Sequence, residues 1–327
     1  MTPTGLAQSL AGIKPRLDAL EELLDEQFSS EVPHVREMLA YARSYSGKRL
    51  RPALVFVIAD LCGGAREEHV RLAAVVEMIH LATLVHDDVI DRATMRRRAT
   101  SINARWTDKD AVLLGDVIFS RAISLLVSLG DPRALAELTA CVGTLCEGEI
   151  HQNRLAGDAS VDTQTYLSII RKKTASLYGV GCELAAHLAE ASPRVVQAFG
   201  RFGIALGTGF QIIDDCLDLS GDEEVVGKSL GSDVANGKMT LPLIHLLGQL
   251  EGEERREVRE IIESRRADAS DVLRIRRLIA ERGSVEFATG RAEAYVEEAL
   301  ADLRGLLGST ATPILDEIAG FVLRRRA

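Results

Sequence analysis

Helical periodicity from one end of the chain to the other is the feature that most constrains its fold. Apolar residues recur at spacings of three and four, a pattern that places their side chains on one face of an α-helix. The first such stripe consists of Leu6, Leu10, Ile13, Leu17, Leu20 and Leu24. Alternating, strand-like runs are scarce. We therefore predict an all-α fold in which all 327 residues form one domain, a bundle of many helices around a central cavity.

Glycine, proline and capping residues divide this pattern into separate helices. Proline suits the first turn of a helix, and glycine pairs interrupt one. Asp162 or Thr163 can cap the helix that begins at Tyr166. The predicted helices are Leu6–Leu24, Pro33–Ser44, Ala53–Leu61, Glu67–Asp91, Asp110–Ser128, Pro132–Leu155 and Tyr166–Ala191, a helix from Pro193 onward, and several amphipathic helices between Leu241 and Arg326.

Composition and charge argue against several classes of function. A net charge of −9 disfavours nucleic acid as the main partner. No apolar run approaches the ~20 residues of a membrane helix, since the longest, Ala53–Cys62, is too short and contains Asp60. The N-terminal stretch is too acidic for a transit peptide and lacks the apolar core of a signal peptide. We therefore expect a cytoplasmic protein without a transmembrane segment.

The cysteine pattern fits a reducing compartment. The chain has five cysteines, Cys62, Cys141, Cys146, Cys182 and Cys216. No two of them show the CxxC spacing of a metal site. We interpret all of them as reduced and buried.

The helix that ends near residue 91 carries three carboxylates at its end. Asp87 and Asp91 stand one turn apart on one face, and Asp88 lies beside them. Two like charges about 4 Å apart repel by about 4 kcal/mol at an effective dielectric of about 20. Such a group needs cations, and ligands that are all oxygen suit a hard ion such as Mg²⁺. Taken alone, the motif fits a solvated helix end equally well.

A second copy of the motif favours the metal interpretation. The sequence Asp214-Asp215-Cys216-Leu217-Asp218 again closes an apolar helical segment. Two such clusters on separate helices can face each other across a cavity and hold several Mg²⁺ ions. Those ions would bridge a polyanionic ligand, and a diphosphate fits because its oxygens complete the octahedral shells.

Basic residues recur in predicted loops near these motifs. Any one of them would usually be a solvated surface charge, but their combined occurrence beside turns and metal motifs indicates anion binding. The clusters are Lys48, Arg49 and Arg51; Arg96, Arg97 and Arg98; Lys172 and Lys173; and Lys228 and Lys238.

In this ordered set of motifs the chain resembles the trans-type polyprenyl diphosphate synthases, and the similarity covers nearly all of it. A single DDxxD would be weak evidence, whereas the ordered set is very specific. The matching stretches are Gly47–Pro52, His80, Asp87-Asp88-x-x-Asp91, Arg96-Arg97, Gly148-Glu149, Lys173-Thr174, Gly209–Asp218, Gly227-Lys228 and Gly237-Lys238. The resemblance implies the isoprenoid synthase fold, a homodimer, and head-to-tail condensation of isopentenyl diphosphate with an allylic diphosphate.

The resemblance also implies a role for each motif. Mg²⁺, at about three ions per active site, would be held directly or through water by Asp87, Asp88, Asp91, Asp214, Asp215 and Asp218. The allylic diphosphate would be bound by Arg96, Lys173, Gln211, Lys228 and Lys238. Isopentenyl diphosphate would be bound by Lys48, Arg51, His80 and Arg97. The catalytic residues would be Lys173, Thr174 and Gln211, of which the last two offer oxygen dipoles to the allylic cation.

Three residues near these motifs are assigned with less detail. His80 is either a substrate contact or a satisfied core histidine, and His86 is interpreted as packing. Arg98 stands where the family commonly has glycine, and it receives no role.

The helix before the first motif is expected to line the pocket for the growing prenyl tail. Ala82 and Thr83 lie one turn before Asp87, and Ile79 lies two turns before it. Members of the family that stop at short products usually carry a bulky aromatic residue at one of the first two positions. Both are small here, and the first motif lacks the two-residue insertion of many bacterial short-chain enzymes. A long product, heptaprenyl to decaprenyl, is therefore expected, with farnesyl or geranylgeranyl diphosphate as the alternative.

Two other functions compete with this interpretation. A class I terpene cyclase also ionises diphosphates, but it would not need the second diphosphate site that Lys48, Arg51 and Arg97 suggest. Its pocket would also be lined with aromatic rings, whereas aromatic residues are 4% of this chain. A non-catalytic synthase subunit would be expected to lose aspartates from one motif, and both motifs are intact. Transient contact of the enzyme with a bilayer fits a lipidic product.

Overall fold

α-Helices dominate the computed structural model, which describes residues 10–45, 47–96, 99–221, 230–308 and 312–324. The helices are α1 Lys14–Gln27, α2 Pro33–Arg43, α3 Leu50–Leu61, α4 Glu67–Ile90, α5 Ile102–Arg105, α6 Asp108–Ser128, α7 Pro132–Arg154, α8 Thr163–Ile170, α9 Ser176–Leu188, α10 Pro193–Ser220, α11 Ser232–Ala235, α12 Leu241–Gln249, α13 Gly252–Ser264, α14 Ala269–Glu281, α15 Ser284–Leu307 and α16 Pro313–Leu323. A short antiparallel hairpin pairs β1, Met95–Arg96, with β2, Ala99–Thr100. The predicted all-α fold is confirmed.

The chain divides into two compact units. Unit 1 consists of Met1–Val142 and Leu177–Gly200, and unit 2 consists of Gly143–Ser176 and Arg201–Ala327. Each unit therefore draws on two separate stretches of sequence. The first aspartate motif belongs to unit 1 and the second to unit 2. The single domain over residues 1–327 and its central cavity stay predictions.

Helix α4 lies at the centre of unit 1. Every side chain from Leu72 to Ile79 is buried, so the middle of this helix has no exposed face. A helix of this kind is covered on all sides, and α1, α3, α5 and α6 all pack against α4. Its C-terminal turn, which carries the first aspartate motif, is therefore held by a packed core.

Unit 2 has a separate apolar core around the second motif. Ile212 and Ile213 of α10 belong to a cluster of buried residues that includes Leu243 of α12, Ile275 of α14 and Ala292 of α15. Helix α15 packs against α12, α14 and α16. This packing fixes the turn of α10 that carries the aspartates of the second motif.

One helix prediction needs correction. The single helix predicted over Tyr166–Ala191 is wrong, because a π-helical turn, Arg171–Ala175, separates α8 from α9. The predicted cap is confirmed, since the Asp162 side chain accepts a hydrogen bond from the backbone N–H of Thr165 at 2.8 Å. Helical order at the N-terminus of the described chain begins with a 3₁₀ turn, Leu10–Ile13, which leads into α1.

Helix α6 corrects the expectation that no segment is long and apolar enough to cross a membrane. By length and composition, Asp108–Ser128 is the one such helix in the described part of the chain. It nevertheless contains Asp116 and Arg121. The Arg121 guanidinium donates to the backbone oxygens of Gln27 and Ser29 at the end of α1. The core helices of soluble proteins pass the same test, so length and composition alone do not place α6 in a bilayer.

The cysteine interpretation is corrected in one respect. All five thiols are free, and Cys141, Cys182 and Cys216 are buried as expected. Cys62 is only half-buried, and Cys146 is exposed. Cys62 is the C-cap of α3, and Cys146 lies on an exposed face of α7.

Candidate active site

The first aspartate motif closes α4, and its three carboxylates differ in exposure. Asp88 is fully buried, Asp87 is half-buried, and Asp91 is exposed at the C-cap. The Arg96 guanidinium, from β1, holds one oxygen of Asp88 with two nitrogens, Nε at 2.7 Å and a terminal nitrogen at 2.6 Å. The other Asp88 oxygen is buried and makes no hydrogen bond to any described residue. Asp88 therefore has a protein partner and one oxygen left over.

The charge on Arg96 is secured by this contact. Burial by itself would lower the pKa of the guanidinium. The hydrogen bond to Asp88 and the negative charges of Asp88 and Asp87 outweigh burial, and the pKa is raised. Arg96 thus stays cationic beside the first motif.

Two arginines of the Gly47–Pro52 stretch have opposite environments. Arg49, in the left-handed conformation with φ of 51°, is bound by Glu21 at 2.7 Å and by Glu77 at 2.6 Å. Arg51 instead keeps a buried Nε without a hydrogen bond to any residue that the structure describes. The Arg51 guanidinium carbon lies 4.3 Å from the centre of the Tyr178 ring, within cation–π range. Arg49 therefore links helices, whereas Arg51 retains a buried donor without a hydrogen bond to any described residue.

The remaining residues expected to bind isopentenyl diphosphate are only partly described. Lys48 is exposed in the loop before α3, and His80 is half-buried on α4. Arg97 lies outside the described residues, as does Arg98. The two interpretations of His80 stay open.

Further back on α4, the residues assigned to chain length are largely enclosed, and two of them, Ala82 and Thr83, are small. Ile79 and Ala82 are buried, and Thr83 is half-buried with its hydroxyl donating to the His80 backbone oxygen at 2.7 Å. His86 packs on α6, where its Nε2 lies 3.1 Å from the Val112 backbone oxygen. A Cβ at Gly115 would lie 2.1 Å from that nitrogen. The interpretation of His86 as a packing residue fits these contacts.

The second motif contains a chain of hydrogen bonds within unit 2. The Thr174 hydroxyl donates to Gln211 Oε1 at 2.8 Å. Gln211 Nε2 donates to Asp215 Oδ1, also at 2.8 Å. The hydroxyl of buried Tyr166 donates to Asp215 Oδ2 at 2.6 Å. Both oxygens of Asp215 are therefore occupied by protein donors, and two of the three predicted catalytic residues are joined to it.

Burial has the largest effect on the pKa of the Asp215 carboxyl. Burial and the neighbouring charges of Asp233 and Asp214 raise its pKa to about 8, and the hydrogen bonds from Tyr166 and Gln211 oppose this rise. Burial also raises the pKa of the Tyr166 hydroxyl well above its usual value, followed by the effect of Asp215. Tyr166 therefore remains a donor throughout the physiological pH range.

Asp218 is also occupied by protein groups. One carboxylate oxygen accepts from the Ser232 hydroxyl at 2.9 Å, and the other accepts from the backbone N–H of Asp233 at 3.0 Å. Its backbone oxygen accepts from the N–H of Gly231 at 2.7 Å. Asp218 thus caps α11 and holds the chain that leads to Lys238, which is half-buried. Lys228 lies outside the described residues.

The π-helical turn positions Lys173 and Thr174. Lys173 forms an ion pair with Glu149 and donates to Gln152 Oε1 at 2.9 Å. Gly148 of α7 permits this approach, since a Cβ there would lie 2.6 Å from the backbone nitrogen of Lys173. π-Turns inside helices are frequent at functional sites. The sequence matches at Gly148-Glu149 and Lys173-Thr174 therefore meet at one contact between α7 and the turn.

No three His, Cys, Asp or Glu side chains within the described ranges are grouped closely enough to hold a metal ion by themselves. The metal role of the six aspartates therefore stays a prediction.

Comparisons with known proteins place the chain among prenyl-transferring enzymes. Residues 32–279, more than half of the chain, match the family described as polyprenyl synthetase. The all-trans-nonaprenyl-diphosphate synthase (geranyl-diphosphate specific) of Rhodobacter capsulatus is 34% identical, over 97% of this chain and 97% of that protein. The heptaprenyl diphosphate synthase component 2 of Geobacillus stearothermophilus is also 34% identical, over 94% of this chain and 95% of that protein.

A solved structure agrees with these relatives. The polyprenyl synthase of Caulobacter crescentus CB15, complexed with calcium and isoprenyl diphosphate, superposes with a TM-score of 0.93 at 32% identity, over 98% of this chain and 97% of that one. The chain belongs to the polyprenyl synthetase family. It is a prenyltransferase with the all-α isoprenoid synthase fold, and its family function is the elongation of prenyl chains. The predicted recognition, reaction class and enzyme assignment are confirmed.

The sequence alone missed three residues of this polyprenyl synthetase. Tyr166, Gln152 and Tyr178 contact Asp215, Lys173 and Arg51 respectively. No motif includes them, and an isolated tyrosine in an apolar helical stretch has the sequence signature of an ordinary core residue. The only available signal was the proximity of Tyr166 and Tyr178 to Lys173-Thr174 along the chain.

Proposed function

We propose that this enzyme condenses isopentenyl diphosphate head-to-tail with an allylic diphosphate and releases a long trans polyprenyl diphosphate. Family membership supports this reaction, and the names of its nonaprenyl and heptaprenyl relatives support the length of the product. The observation that carries the proposal is the chain of hydrogen bonds from Thr174 through Gln211 to Asp215. Dipoles anchored on a carboxylate suit a site where positive charge develops on carbon.

The donor atoms of the two motifs fit a hard divalent cation. All are carboxylate oxygens, and one of them, on Asp88, is buried without a hydrogen bond to any described residue. Asp87, Asp88, Asp91, Asp214, Asp215 and Asp218 would hold Mg²⁺, directly or through water, at about three ions per active site. Bound Mg²⁺ supplies Lewis-acid neutralisation of the departing diphosphate.

The cations divide between the two diphosphates. Arg96, Lys173 and Lys238, together with Lys228, bind the allylic diphosphate, whose negative charge grows as its C–O bond breaks. Lys48, Arg51 and Arg97, with His80, bind isopentenyl diphosphate, which must be held without being ionised. Arginine suits this second role because its planar fork contacts phosphate through two nitrogens. The unused Nε of Arg51 supports its place in this set.

The residues around the reacting carbons stabilise charge rather than form bonds to substrate. Thr174 and Gln211 direct oxygen lone pairs to the allylic cation, and Lys173 stays near the leaving group. The double bond of isopentenyl diphosphate then attacks the cation, and the departing diphosphate takes up the proton that is lost. Ile79, Ala82 and Thr83 leave room for a growing tail, which accounts for a long product.

The family and the exposed apolar face of α6 support a proposal for the assembly and location of the enzyme. We propose a homodimer in the cytoplasm that contacts membranes transiently when it releases product. Exposed Val112, Leu113 and Val127 on α6 support a subunit contact. A second kind of chain is the competing partner, because one relative is named as a component. Light scattering of the purified chain distinguishes them: a mass of two copies is expected, and a monomer would contradict the homodimer.

The proposed reaction is tested by incubating the purified chain with isopentenyl diphosphate, Mg²⁺ and each allylic primer in turn. The products are dephosphorylated and sized by chromatography. We expect elongation to products of heptaprenyl to decaprenyl length, abolished by a chelator. Farnesyl or geranylgeranyl products would contradict the long-chain assignment, and no elongation with any primer would reject the reaction.

A further inference from the structure

Tyr166 ends a directed chain of hydrogen bonds that the proposed reaction does not yet explain. Its ring is buried in the core of unit 2. Its hydroxyl donates to Asp215 Oδ2 at 2.6 Å, while Asp215 Oδ1 accepts from Gln211 at 2.8 Å. Gln211 in turn accepts from the Thr174 hydroxyl at 2.8 Å. These hydrogen bonds therefore connect a buried tyrosine to two predicted catalytic residues.

The direction of each hydrogen bond in this chain follows from Asp215. Both oxygens of Asp215 accept hydrogen bonds, from Tyr166 and from Gln211, whereas an amide offers a donor at one end and an acceptor at the other. Asp215 therefore turns the NH₂ group of Gln211 towards itself and the amide oxygen towards Thr174. The Gln211 oxygen accepts the only hydroxyl proton of Thr174. The lone pairs of the Thr174 oxygen can then face a cation.

Tyr166 holds the carboxylate in the orientation that this arrangement needs. Its hydroxyl fixes Oδ2 and thereby keeps Oδ1 towards Gln211. Without that anchor, the Asp215 side chain can rotate, and the Gln211 amide loses the partner that decides between its two orientations. Burial raises the pKa of the Tyr166 hydroxyl, so it keeps its proton and stays a donor.

We propose that Tyr166 is a positioning residue for prenyl transfer, which acts through Asp215 to fix the Gln211 amide and the Thr174 hydroxyl. It orients the oxygens that stabilise the developing allylic cation, although it does not contact substrate itself. This inference rests on the proposed function, because that reaction requires an allylic cation to be stabilised here. The competing explanation is that Tyr166 merely fills the core and satisfies a buried carboxylate.

The first test is Tyr166→Phe, which keeps the ring and removes only the hydroxyl. We expect kcat to fall by about tenfold while KM for both substrates changes by less than about twofold, the pattern of a contact made only in the transition state. The matched control is Tyr41→Phe, which removes a tyrosine hydrogen bond of the same length, 2.6 Å, to the Thr100 backbone oxygen in unit 1. The control should keep the wild-type kcat.

A double-mutant cycle separates positioning from core packing. Thr174→Val removes the hydroxyl at the far end of the chain and keeps the shape of the side chain. If Tyr166 acts through this chain, Tyr166→Phe in the Thr174→Val background should change kcat by less than about twofold, since coupled residues are not additive. Two independent, multiplicative losses would overturn the proposal.

Binding provides a readout besides turnover. Calorimetry with Mg²⁺ and a non-ionisable allylic diphosphate analogue should give the same affinity for the wild type and Tyr166→Phe, within about twofold. A large loss of affinity would mean that Tyr166 supports the metal site instead, and an unchanged kcat would mean that it only packs. Either result overturns the proposal.

Separate control experiments test whether the variant is folded and whether the wild type performs the proposed reaction. Thermal melting shows whether Tyr166→Phe is folded at the assay temperature. If it is not, Asp215→Asn provides the second variant, because its amide can donate to Gln211 Oε1 and reverse the chain. A wild-type kcat in Asp215→Asn would overturn the proposal. Failure of the wild type to elongate any primer would instead reject the proposed function.

Discussion

Arg96 and Asp88 form an ion pair in which two guanidinium nitrogens hold one carboxylate oxygen, at 2.7 and 2.6 Å. The Asp88 side chain has no exposed surface, and that of Arg96 is 24% exposed. A pair as buried as this adds little net stability compared with apolar packing, yet breaking it is costly because one charge is left without a partner. The second aspartate of the first motif thus determines where a predicted diphosphate ligand lies.

Arg96→Leu should therefore destabilise the protein through the stranded carboxylate of Asp88. We expect the free energy of unfolding to fall by about 3 kcal/mol, measured by urea denaturation in the absence of substrate. The matched control is Arg201→Leu, whose pair with Asp302 at 3.3 Å is more than half exposed on both sides. Because exposed pairs contribute little, the control should change much less. Equal losses in the two variants would contradict the importance of the buried pair.

Gly148→Ala should separate α7 from the π-helical turn. The added Cβ would lie 2.6 Å from the Lys173 backbone nitrogen and 2.9 Å from the Lys172 Cβ, so the backbone must move. We expect kcat to fall by about tenfold or more, because small displacements of positioned groups are costly. Gly143→Ala on the same helix is the control, since its Cβ has nothing within 4 Å. It should be neutral or raise stability by about 0.5–1 kcal/mol; similar kcat values in both variants would argue against the close contact.

Ala82→Phe should shorten the product. Ala82 is buried one turn before Asp87, and a phenyl ring there would block space assigned to the growing tail. The main product should lose several isoprene units when dephosphorylated chains are separated by chromatography. Leu84→Phe adds an aromatic ring to the opposite side of α4 and should leave the product length unchanged. An unchanged chromatogram for Ala82→Phe would reject the tunnel along α4.

Stability should fall as the pH drops below about 6.5, the ordinary pKa of histidine, partly because of His69. This buried side chain accepts the Arg66 backbone N–H on Nδ1 at 3.0 Å, and its Nε2 therefore donates to the Ala185 backbone oxygen at 3.1 Å. Burial lowers the pKa of His69, so the folded protein requires the neutral ring. The unfolded chain binds a proton at a higher pH than the folded chain does, which favours unfolding as the pH falls.

The measurement is the urea midpoint between about pH 8 and about pH 5. His69→Gln cannot titrate, so its midpoint should decrease less over this range than that of the wild type. Parallel curves for the two proteins would exclude His69 as a source of the pH dependence. His245, whose pKa is also lowered by burial, remains in both proteins and cancels in the comparison.

Much of the candidate site was predictable because its signals are local in sequence. Helical spacing gave the all-α fold, and the placement of Asp87 and Asp91 one turn apart follows from the helix itself. The break in the helix after Ile170 was not predictable, since no glycine or proline marks it. The π-turn instead accompanies a contact with Gly148 on α7, and α8 separates the two in the sequence.

Arg49 and Arg51 also show that the sequence does not reveal which partners a charged side chain meets. Arg49 and Arg51 are equivalent by composition and lie two positions apart, yet one is neutralised by Glu21 and Glu77 and the other keeps an unused buried donor. Which carboxylate meets which cation depends on how α1 and α4 pack beside α3. That packing arises from the whole apolar core and leaves no mark in the motif.

The sequence by itself determined the helical class, the two aspartate motifs and the family of reactions, because periodicity and motif spacing act over a few residues of one helix. Only the tertiary structure decided that Asp88 belongs to Arg96, that Asp215 is held by Tyr166, and that Arg49 and Arg51 have different partners. Asp88 and Arg96 are only eight positions apart, whereas the other pairings join residues far apart in the chain. They form because each buried polar group must find a partner once the apolar faces have packed.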